Sequence, residues 1–511
     1  MRAVYRHLRP LARGLPRAHT AVRCFSQLEG PQDVRIVALP SAIGLVAPAL
    51  GLERAFPFDH VWLRDACRER ESVQESTQQK MFHTSDIRVP HDGESLLDPD
   101  HPPTLEPSSD GCAPEDWVLT LHFAPKAHVT NAFSAAFGTV AEPPSTPHRS
   151  RLPLSLLLSH ALPERYEALH HDIGGVPTPW GASDVAAFPA PRPPPSSADE
   201  QPESLDVDAA HARPARVAWG ALLGEGDERA ASAALSRALV RDGLVFVAGL
   251  PTDVTDNEGP KRARLADLAA KLGEIRNTFY GPLWNVRSLG SASRNIAYTN
   301  VDLGLHMDLC YFQNPPRFQF LHSLRNRVRG GSSIFVDSFK VAEHMWEHHR
   351  EAWNLLAKVP VGFHYQNDGF HYRYTHPTFE VAAENEGHGG RPFASGMPRL
   401  TAVNYSPPFQ SPMPLHPASG QPSTAERLAF YDALRIFADL TLEEQFRYER
   451  TLSEGECVIF DNRRVLHSRR GFEWDEQAES GDDVKRWLKG CYIDGDAVWS
   501  TYRTLNKGAK P

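Results

Sequence analysis

The chain is poor in cysteine and has no excess of positive charge, and each shortage excludes a class of protein. Its 511 residues include only six cysteines, at positions 24, 67, 112, 310, 457 and 491. They are scattered without tight spacing, which fits a reducing compartment better than a disulfide-stabilised scaffold. A net charge of -9 argues against a general basic surface for nucleic acid, so we expect no such partner.

Long hydrophobic runs and phosphate-binding loops are also missing. The uncharged run from Ile36 to Leu52 has 17 residues, the lower limit of roughly 17 for a membrane span. Pro40 and Pro48 interrupt it, which favours strands joined by a turn, and we expect no membrane span. We find no convincing glycine-rich loop before a predicted helix, which argues against a nucleotide-binding fold of that type.

Acidic residues are absent before Glu29, whereas the same segment contains six arginines. An arginine-rich, acid-free opening is typical of an organelle transit peptide, and a disordered basic tail is the alternative. The stretch Arg23-Cys24-Phe25-Ser26 resembles a mitochondrial matrix cleavage site. We therefore expect residues 1–28 to be a mitochondrial transit peptide and the protein to reside in the matrix.

Composition divides the rest of the chain into three regions. Residues 33–143 alternate short apolar runs (VRIVAL, HVWLRD, DWVLTLHF) with turn-rich stretches, which predicts a small amino-terminal β domain. Residues 144–215 contain the proline-, serine- and acid-rich stretch 186–204, which indicates an insert or linker. Residues 216–511 contain many short predicted strands separated by turns. We expect a mainly β fold with flanking helices, in which 216–511 is a double-stranded β-helix, or jelly roll.

Two helices of the larger region have clear end signals. Asp227 is expected to cap an alanine-rich helix that ends at Gly243. A second helix begins near Ser423, which forms a capping-box pattern with Glu426.

Three residues have the types that bind non-haem iron. His306 and Asp308 stand two apart in GLHMDLCY, in a predicted strand, where their side chains would point to one face. His467 lies in GECVIFDNRRVLHSRRGFE, on the second of two predicted strands joined by a turn at Asp461 and Asn462. Two imidazoles and one carboxylate form the facial Fe(II) site of oxygenases. An isolated histidine is more often an ordinary core or surface residue, and His170-x-Asp172 repeats the pattern without a partner motif.

A fourth residue, Arg486 in RWLKGCY, completes a family resemblance. In this order the four residues resemble the Fe(II)/2-oxoglutarate dioxygenases of the jelly-roll fold. More narrowly, YGPLW, NIAYTNVDLGLHMDLCYF, GGSSIFVDSF and RWLKGCY are similar to the gamma-butyrobetaine and trimethyllysine dioxygenases of carnitine synthesis, over roughly residues 216 to 505. FPFDHVWLRDAC resembles the small amino-terminal domain of that family. The resemblance implies Fe(II), 2-oxoglutarate and O2, and is compatible with ascorbate and a homodimer.

The same resemblance implies a role for individual residues. Arg486, with Ser333 beside it, would bind the far carboxylate of 2-oxoglutarate, for which a guanidinium fork is suited. Asn295 matches a ligand of the substrate carboxylate. Four aromatic residues match positions that enclose a trimethylammonium group through cation–π contacts, and a plain aromatic core is the alternative. These are Tyr280, Trp284, Tyr298 and Tyr492.

The chain departs from the family pattern at two places. It keeps Cys67, but Glu69 and Ser72 stand where relatives have further zinc-binding cysteines, so we expect no structural zinc even with His128 at the position of the histidine ligand. In VNYSPPF, Asn404 and Ser406 stand where relatives have a pair of asparagines that bind the polar end of the substrate.

The function implied is hydroxylation of a small trimethylammonium acid, with gamma-butyrobetaine as the expected substrate. Trimethyllysine is the alternative substrate, because it carries the same cation and differs at the end where this sequence departs from the family. A non-catalytic methylammonium-binding module is an alternative of another class. The retained metal ligands and Arg486 speak against it.

Overall fold

The computed structural model describes most of the chain as two compact units, Met1–Leu169 and His170–Pro511. The expected transit peptide before residue 25, the stretch 186–204, His170, Asp172, Asn295 and Tyr298 lie outside the described residues. No helix of the described chain is long and apolar enough to cross a bilayer. The described residues are 25–30, 33–91, 94–109, 112–128, 145–162, 165–166, 177–185, 213–259, 262–287, 299–382, 395–413, 423–474, 484 and 486–506.

The amino-terminal unit consists of antiparallel sheets and short helices. One sheet has the order β1-β2-β3-β4 and the other the order β5-β6-β7. Ile43, Leu119 and Leu157 are fully buried in a core to which both sheets and the second helix contribute. The elements are β1 (Phe25–Glu29), β2 (Arg35–Ala38), β3 (Ala42–Ala47), β4 (Leu52–Asp59), α1 (His60–Asp65), β5 (Thr104–Pro107), β6 (Trp117–Phe123), β7 (His148–Pro153) and α2 (Leu154–Ala161).

One expected strand of this unit is a helix. The run HVWLRD forms α1, with His60, Leu63 and Arg64 buried. These positions follow the three- and four-residue spacing of a helix face and not the alternation of a strand. The run from Ile36 to Leu52 does form the predicted strands and turn, as β2, β3 and the start of β4.

The carboxy-terminal unit is larger and combines sheets with helices. Its strands are β8 (Ala215–Ala218), β9 (Leu244–Ala248), β10 (Trp284–Arg287), β11 (Leu303–His306), β12 (Phe318–Asn326), β13 (Val328–Gly330), β14 (Ser333–Asp337), β15 (Pro360–Asn367), β16 (Phe370–Pro377), β17 (Phe379–Val381), β18 (Leu400–Val403), β19 (Arg447–Arg450), β20 (Cys457–Asp461), β21 (Val465–Arg469), β22 (Phe472–Trp474) and β23 (Arg486–Ile493). Its helices are α3 (Trp219–Leu222), α4 (Glu228–Asp242), α5 (Leu265–Ala270), α6 (Ser338–His348), α7 (Arg350–Lys358), α8 (Thr424–Thr441) and α9 (Gly495–Leu505).

Two of its sheets pack against each other. A six-stranded sheet has the order β10-β23-β12-β20-β9-β8, and a four-stranded sheet has the order β11-β21-β14-β19. Phe335 of the smaller sheet contacts Phe460 and Phe246 of the larger one, with ring centroids 5.8 and 6.1 Å apart. Helices α4, α5 and α9 cover the other face of the larger sheet through residues such as Leu235 and Trp499. Strand β23, buried along its whole length, lies between β10 and β12.

The two helix ends predicted from local signals are confirmed. The Asp227 side chain accepts a hydrogen bond of 2.9 Å from Ala230 N–H, and α4 ends at Gly243, whose φ of 67° suits a residue without a Cβ. Ser423 and Glu426 form the complete capping box at the start of α8.

Candidate active site

The structure brings the three predicted metal-binding side chains together. His306 on β11 and His467 on β21 are cross-strand neighbours in the smaller sheet, and their ring centroids are 4.2 Å apart. With Asp308, each offers one ligand atom, and these atoms lie within 4.8 Å of one another. The cluster has the composition of a non-haem iron site.

The expected placement of His306 and Asp308 on one strand is wrong. Strand β11 ends at His306, and Asp308 lies in the turn that follows it. Leu309, the next residue, has a φ of 60°, which is unfavourable for any residue with a Cβ. The turn, and not strand alternation, therefore directs the carboxylate towards the two histidines.

Burial keeps one of the two imidazoles neutral, and a backbone contact orients the other. His306 Nδ1 lies 2.9 Å from the Gly304 carbonyl, which favours the tautomer with a proton on Nδ1 and leaves Nε2 facing Asp308 Oδ1 at 3.4 Å. Burial, with the positive charge of His306, lowers the pKa of His467 to about 3. Burial also acts to lower the pKa of His306, but its interaction with Asp308 outweighs burial and raises the pKa. His467 is therefore neutral at ordinary pH, the form that binds metals.

The Asp308 carboxylate is held by a phenol. Tyr492 donates a hydrogen bond of 2.8 Å to Asp308 Oδ2, which leaves Oδ1 directed towards His306. Although burial acts to raise the pKa of Asp308, the hydrogen bond from His306 and the charges of both histidines hold the pKa below its usual range. The site therefore keeps a negative charge for a cation.

Arg486 carries an inward-facing guanidinium that forms no ion pair with a carboxylate of the described residues. It is 4 % exposed at the start of β23, and its Nε has no hydrogen-bond partner among the described residues. Burial, and secondarily the nearby Arg469, lower its pKa to about 9. Ser333 at the start of β14 lines the same cavity. A buried arginine of this kind requires an anion, and a carboxylate would satisfy it.

The cavity above the three metal-binding side chains has aromatic walls. The ring centroids of Trp284 and Tyr492 are 5.2 Å apart, and those of Trp284 and Tyr280 are 6.3 Å apart. Three of the four predicted cage residues therefore line one cavity, and the fourth, Tyr298, lies outside the described residues together with Asn295. The cavity is lined by Tyr280, Trp284, Val286, Leu303, His306, Asp308, Leu309, Tyr311, Gln319, Leu321, Ser333, Phe335, Pro408, Phe409, His467, Ser468, Arg469, Arg486, Leu488 and Tyr492.

The position of Trp284 depends on a glycine opposite it. Trp284 on β10 pairs with Gly490 on β23, and its indole ring lies directly against the Gly490 backbone. A Cβ at position 490 would lie closer than 3.0 Å to three ring carbons of Trp284, well inside contact distance. The missing side chain therefore creates the space in which the largest ring of the cavity lies.

Sequence reasoning missed several cavity residues. Tyr311 lies three positions after Asp308, is 2 % exposed and stacks on Tyr365, with ring centroids 5.2 Å apart. Phe409 follows two prolines after the VNYS stretch and forms another wall. The aromatic side chain of Tyr311 next to a predicted metal ligand is the signal that could have identified it.

The two residues that replace the family's asparagine pair do not line this cavity. Asn404 donates hydrogen bonds of 2.9 Å to the Pro377 carbonyl and to Glu380 Oε1. Ser406 is fully buried and its hydroxyl has no partner among the described residues. Neither side chain is among the described residues that line the cavity, where a substrate would be contacted.

In the amino-terminal unit, the residues of this chain at the positions of the family's zinc ligands form a polar cluster around an arginine. Arg64 donates to His128 Nε2 and to Ser72 Oγ, both at 3.1 Å. His148 Nε2 lies 3.4 Å from Cys67 Sγ and 3.3 Å from Ser72 Oγ. A permanent cation thus lies among the side chains that would otherwise surround a metal.

The geometry agrees with the comparisons to known proteins. Residues 212–492 match the model of the taurine catabolism dioxygenase TauD, TfdA family. The chain belongs to this family. Members are Fe(II)- and 2-oxoglutarate-dependent dioxygenases that consume O2, and this chain is accordingly an enzyme of that type, which sets aside the non-catalytic binding module.

Individual relatives of this TauD/TfdA member differ in how much they share with it. "Dioxygenase str8" from Strobilurus tenacellus is 35 % identical over 455 residues, 89 % of this chain and 86 % of that protein. The gamma-butyrobetaine dioxygenase of a Pseudomonas strain is 34 % identical over 271 residues, 52 % of this chain and 61 % of that protein. The mitochondrial trimethyllysine dioxygenase of Bos taurus is 28 % identical over 270 residues, 52 % of this chain and 55 % of that protein. The chain thus matches less than two thirds of the length of the last two.

Proposed function

We propose that this dioxygenase hydroxylates a small trimethylammonium acid through the residues that surround the cavity of the larger unit. In this proposal His306, Asp308 and His467 bind Fe(II), and Arg486 with Ser333 binds the far carboxylate of 2-oxoglutarate. Tyr280, Trp284 and Tyr492 enclose the cationic head of the substrate, joined by Tyr298, while Asn295 binds the substrate carboxylate.

One observation carries the proposal: an aromatic enclosure and a metal-binding cluster share a residue. Tyr492 forms a wall of the aromatic cavity beside Trp284 and also donates to Asp308 Oδ2. A quaternary ammonium cannot donate a conventional hydrogen bond, so ring faces are the partners that can hold it, each at ~0.5 to 2 kcal/mol. A cation in this enclosure would lie next to the metal, and the carbon chain attached to the cation would be within reach of oxidation there.

Gamma-butyrobetaine is the substrate that we propose, and trimethyllysine is the alternative. A relative 34 % identical to this chain carries the name gamma-butyrobetaine dioxygenase, which supports the first. A trimethyllysine dioxygenase at 28 % supports the second less strongly. The str8 relative, which matches 89 % of this chain, has a name that identifies no substrate.

Each group of side chains around the cavity would have a separate role in the reaction. Bound Fe(II) and 2-oxoglutarate supply the oxidative decarboxylation that activates O2 for attack on a C–H bond. His306 and His467, neutral in their metal-binding forms, and the ionised Asp308 would hold one face of the metal and leave the other face open. The Arg486 guanidinium would fix the distal carboxylate of the keto acid, and Leu488 and Leu321 would exclude water between these two anchors.

Three further expectations belong to the same proposal. The two packed sheets of the larger unit would form a jelly roll, with 216–511 as the catalytic domain, 33–143 as a separate β domain and 144–215 as the insert. Residues 1–28 would direct the protein to the mitochondrial matrix, and the name of the Bos taurus relative gives a mitochondrial location for that protein.

The test is Fe(II)-dependent release of succinate, measured with gamma-butyrobetaine, trimethyllysine and their unmethylated counterparts. We expect substrate-dependent succinate with a trimethylammonium acid, and none from Asp308→Ala, which lacks the charged ligand. Succinate release that responds equally to methylated and unmethylated compounds would contradict the proposed substrate class. Protein that binds neither Fe(II) nor Mn(II) would contradict the metal site itself.

A further inference from the structure

Asn462 makes an unusual set of contacts with the metal-binding carboxylate residue. It lies in the turn between β20 and β21, five residues before His467, and is fully buried. Its Oδ1 accepts a hydrogen bond of 2.8 Å from Asp308 N–H. Its Nδ2 donates to the Asp308 carbonyl at 3.0 Å and to the Pro316 carbonyl at 3.2 Å. One side chain therefore binds the backbone of Asp308 on both sides of its Cα.

These contacts are made at a point where the backbone has no strand pairing to stabilise it. Asp308 lies beyond the last paired residue of β11, so no strand ladder fixes its peptide groups. Leu309 adopts a φ of 60°, a conformation that a residue with a Cβ retains only when its surroundings impose it. The amide of Asn462 supplies the hydrogen bonds that a strand or a helix would otherwise provide.

The turn that carries Asn462 is itself fixed to the segment that follows Asp308 in the chain. Asn462 N–H donates to the Arg317 carbonyl at 2.7 Å. The Arg317 guanidinium donates in return to Asp461 Oδ2, at 3.1 and 2.9 Å. Asp308 and His467, which are far apart in sequence, are consequently connected through one short turn.

We propose that Asn462 is a positioning residue for the metal-binding carboxylate. It holds the Asp308 backbone in the strained turn, while Tyr492 orients the carboxylate itself. The carboxylate is then already directed at the two imidazoles when the metal binds. Without Asn462 the turn would relax, and Asp308 would have to become ordered on metal binding. This inference rests on the proposed metal site.

Mn(II) binding to the metal-free protein tests the inference without turnover. Asn462→Ala removes two hydrogen bonds to the Asp308 backbone and one to the Pro316 carbonyl. Partners that orient a metal ligand typically contribute about 10- to 100-fold in metal affinity. We expect Mn(II) to bind Asn462→Ala weaker by that factor in calorimetry. The visible charge-transfer absorption of the anaerobic Fe(II)–2-oxoglutarate complex should also change. Binding within threefold of the native protein would overturn the inference.

A matched control separates positioning from general stability. Asn506 also makes three side-chain hydrogen bonds, to Arg237 at 2.6 Å, Ser236 at 3.3 Å and the Tyr502 carbonyl at 2.8 Å, at the end of α9. Asn506→Ala should lower the melting temperature and leave Mn(II) affinity unchanged. An equal loss of affinity in both variants would show that Asn462 acts only through stability and would overturn the inference.

If Asn462→Ala does not fold, Asn462→Asp decides, because it keeps the volume and the acceptor for Asp308 N–H but cannot donate to the two carbonyls. Its added negative charge would by itself tighten cation binding, so weaker Mn(II) binding supports loss of positioning, and equal or tighter binding overturns it. Native protein that fails to bind Mn(II) would instead refute the proposed metal site, so the two failures are distinguishable.

Discussion

Replacing Trp284 with leucine is the sharpest test of the aromatic enclosure. Trp284 is 9 % exposed, and its ring centroid lies 5.2 Å from that of Tyr492 and 6.3 Å from that of Tyr280. Leucine keeps apolar contact but removes the ring face, and a partly desolvated cation–π contact contributes ~1 to 2 kcal/mol. We therefore expect gamma-butyrobetaine to bind about 5- to 30-fold more weakly, measured by calorimetry on the anaerobic protein with Mn(II) and 2-oxoglutarate.

A second tryptophan provides the control for this substitution. Trp353 is 3 % exposed, packs against Trp346 and Phe379, lies outside the cavity and, like Trp284, has an indole N–H without a partner among the described residues. Trp353→Leu should lower stability and leave substrate affinity unchanged. An equal affinity loss in both variants would refute the reasoning, as would an unchanged affinity in Trp284→Leu.

Gly490→Ala tests the same enclosure with every ring retained. The added Cβ would displace the Trp284 ring from the backbone of β23. We expect it to weaken binding of the trimethylammonium compound while gamma-aminobutyrate, the unmethylated counterpart, stays a poor ligand. Mn(II) affinity should be native in both variants, since neither residue contacts the three metal-binding side chains directly in the proposal.

Arg486, two buried histidines and the Arg64 cluster each lead to one further prediction. Arg486→Ala should raise the 2-oxoglutarate requirement by orders of magnitude, because removing one partner of a buried charge pair costs ~3 to 5 kcal/mol, and an unchanged requirement in succinate assays would mean that another residue binds the keto acid. Burial lowers the pKa of His60 to about 4 and that of His148 to about 3, so the unfolded chain takes up protons first as the pH falls below 6.5. The amino-terminal unit should then lose up to ~2 to 3 kcal/mol of unfolding free energy per pH unit, and equal hydrogen-exchange protection of residues 33–162 at pH values of about 6.5 and 5 would contradict this. Elemental analysis should find no tightly bound zinc, since Arg64 occupies the cluster beside Cys67, and one zinc per chain would contradict this prediction.

Local signals in the sequence predicted local structure well. The caps of α4 and α8 depend only on neighbouring residues, and the structure contains them. HVWLRD was predicted wrongly as a strand because so short a segment suits either element, and burial of His60, Leu63 and Arg64 in the folded unit follows helical spacing.

At the site, the sequence identified which side chains come together but not the backbone conformation that brings them together. The motif His306-x-Asp308 identified two side chains that meet His467, but the same-strand explanation for their approach was wrong. The left-handed backbone at Leu309 accompanies hydrogen bonds between the preceding residue, Asp308, and Asn462, which lies more than a hundred residues away. No local pattern encodes such a turn, because the groups that stabilise it are adjacent only after folding.

The double role of Tyr492 has a consequence for regiochemistry. Its ring forms a wall of the enclosure, and its hydroxyl is bonded to the carboxylate of Asp308. If the enclosure holds the quaternary nitrogen as proposed, nitrogen and metal are separated by little more than one tyrosine side chain. Oxidation would then occur at a carbon only a few bonds from the nitrogen, whatever the length of the remaining chain. A series of longer trimethylammonium acids should accordingly be hydroxylated at a position counted from the cation and not from the carboxylate.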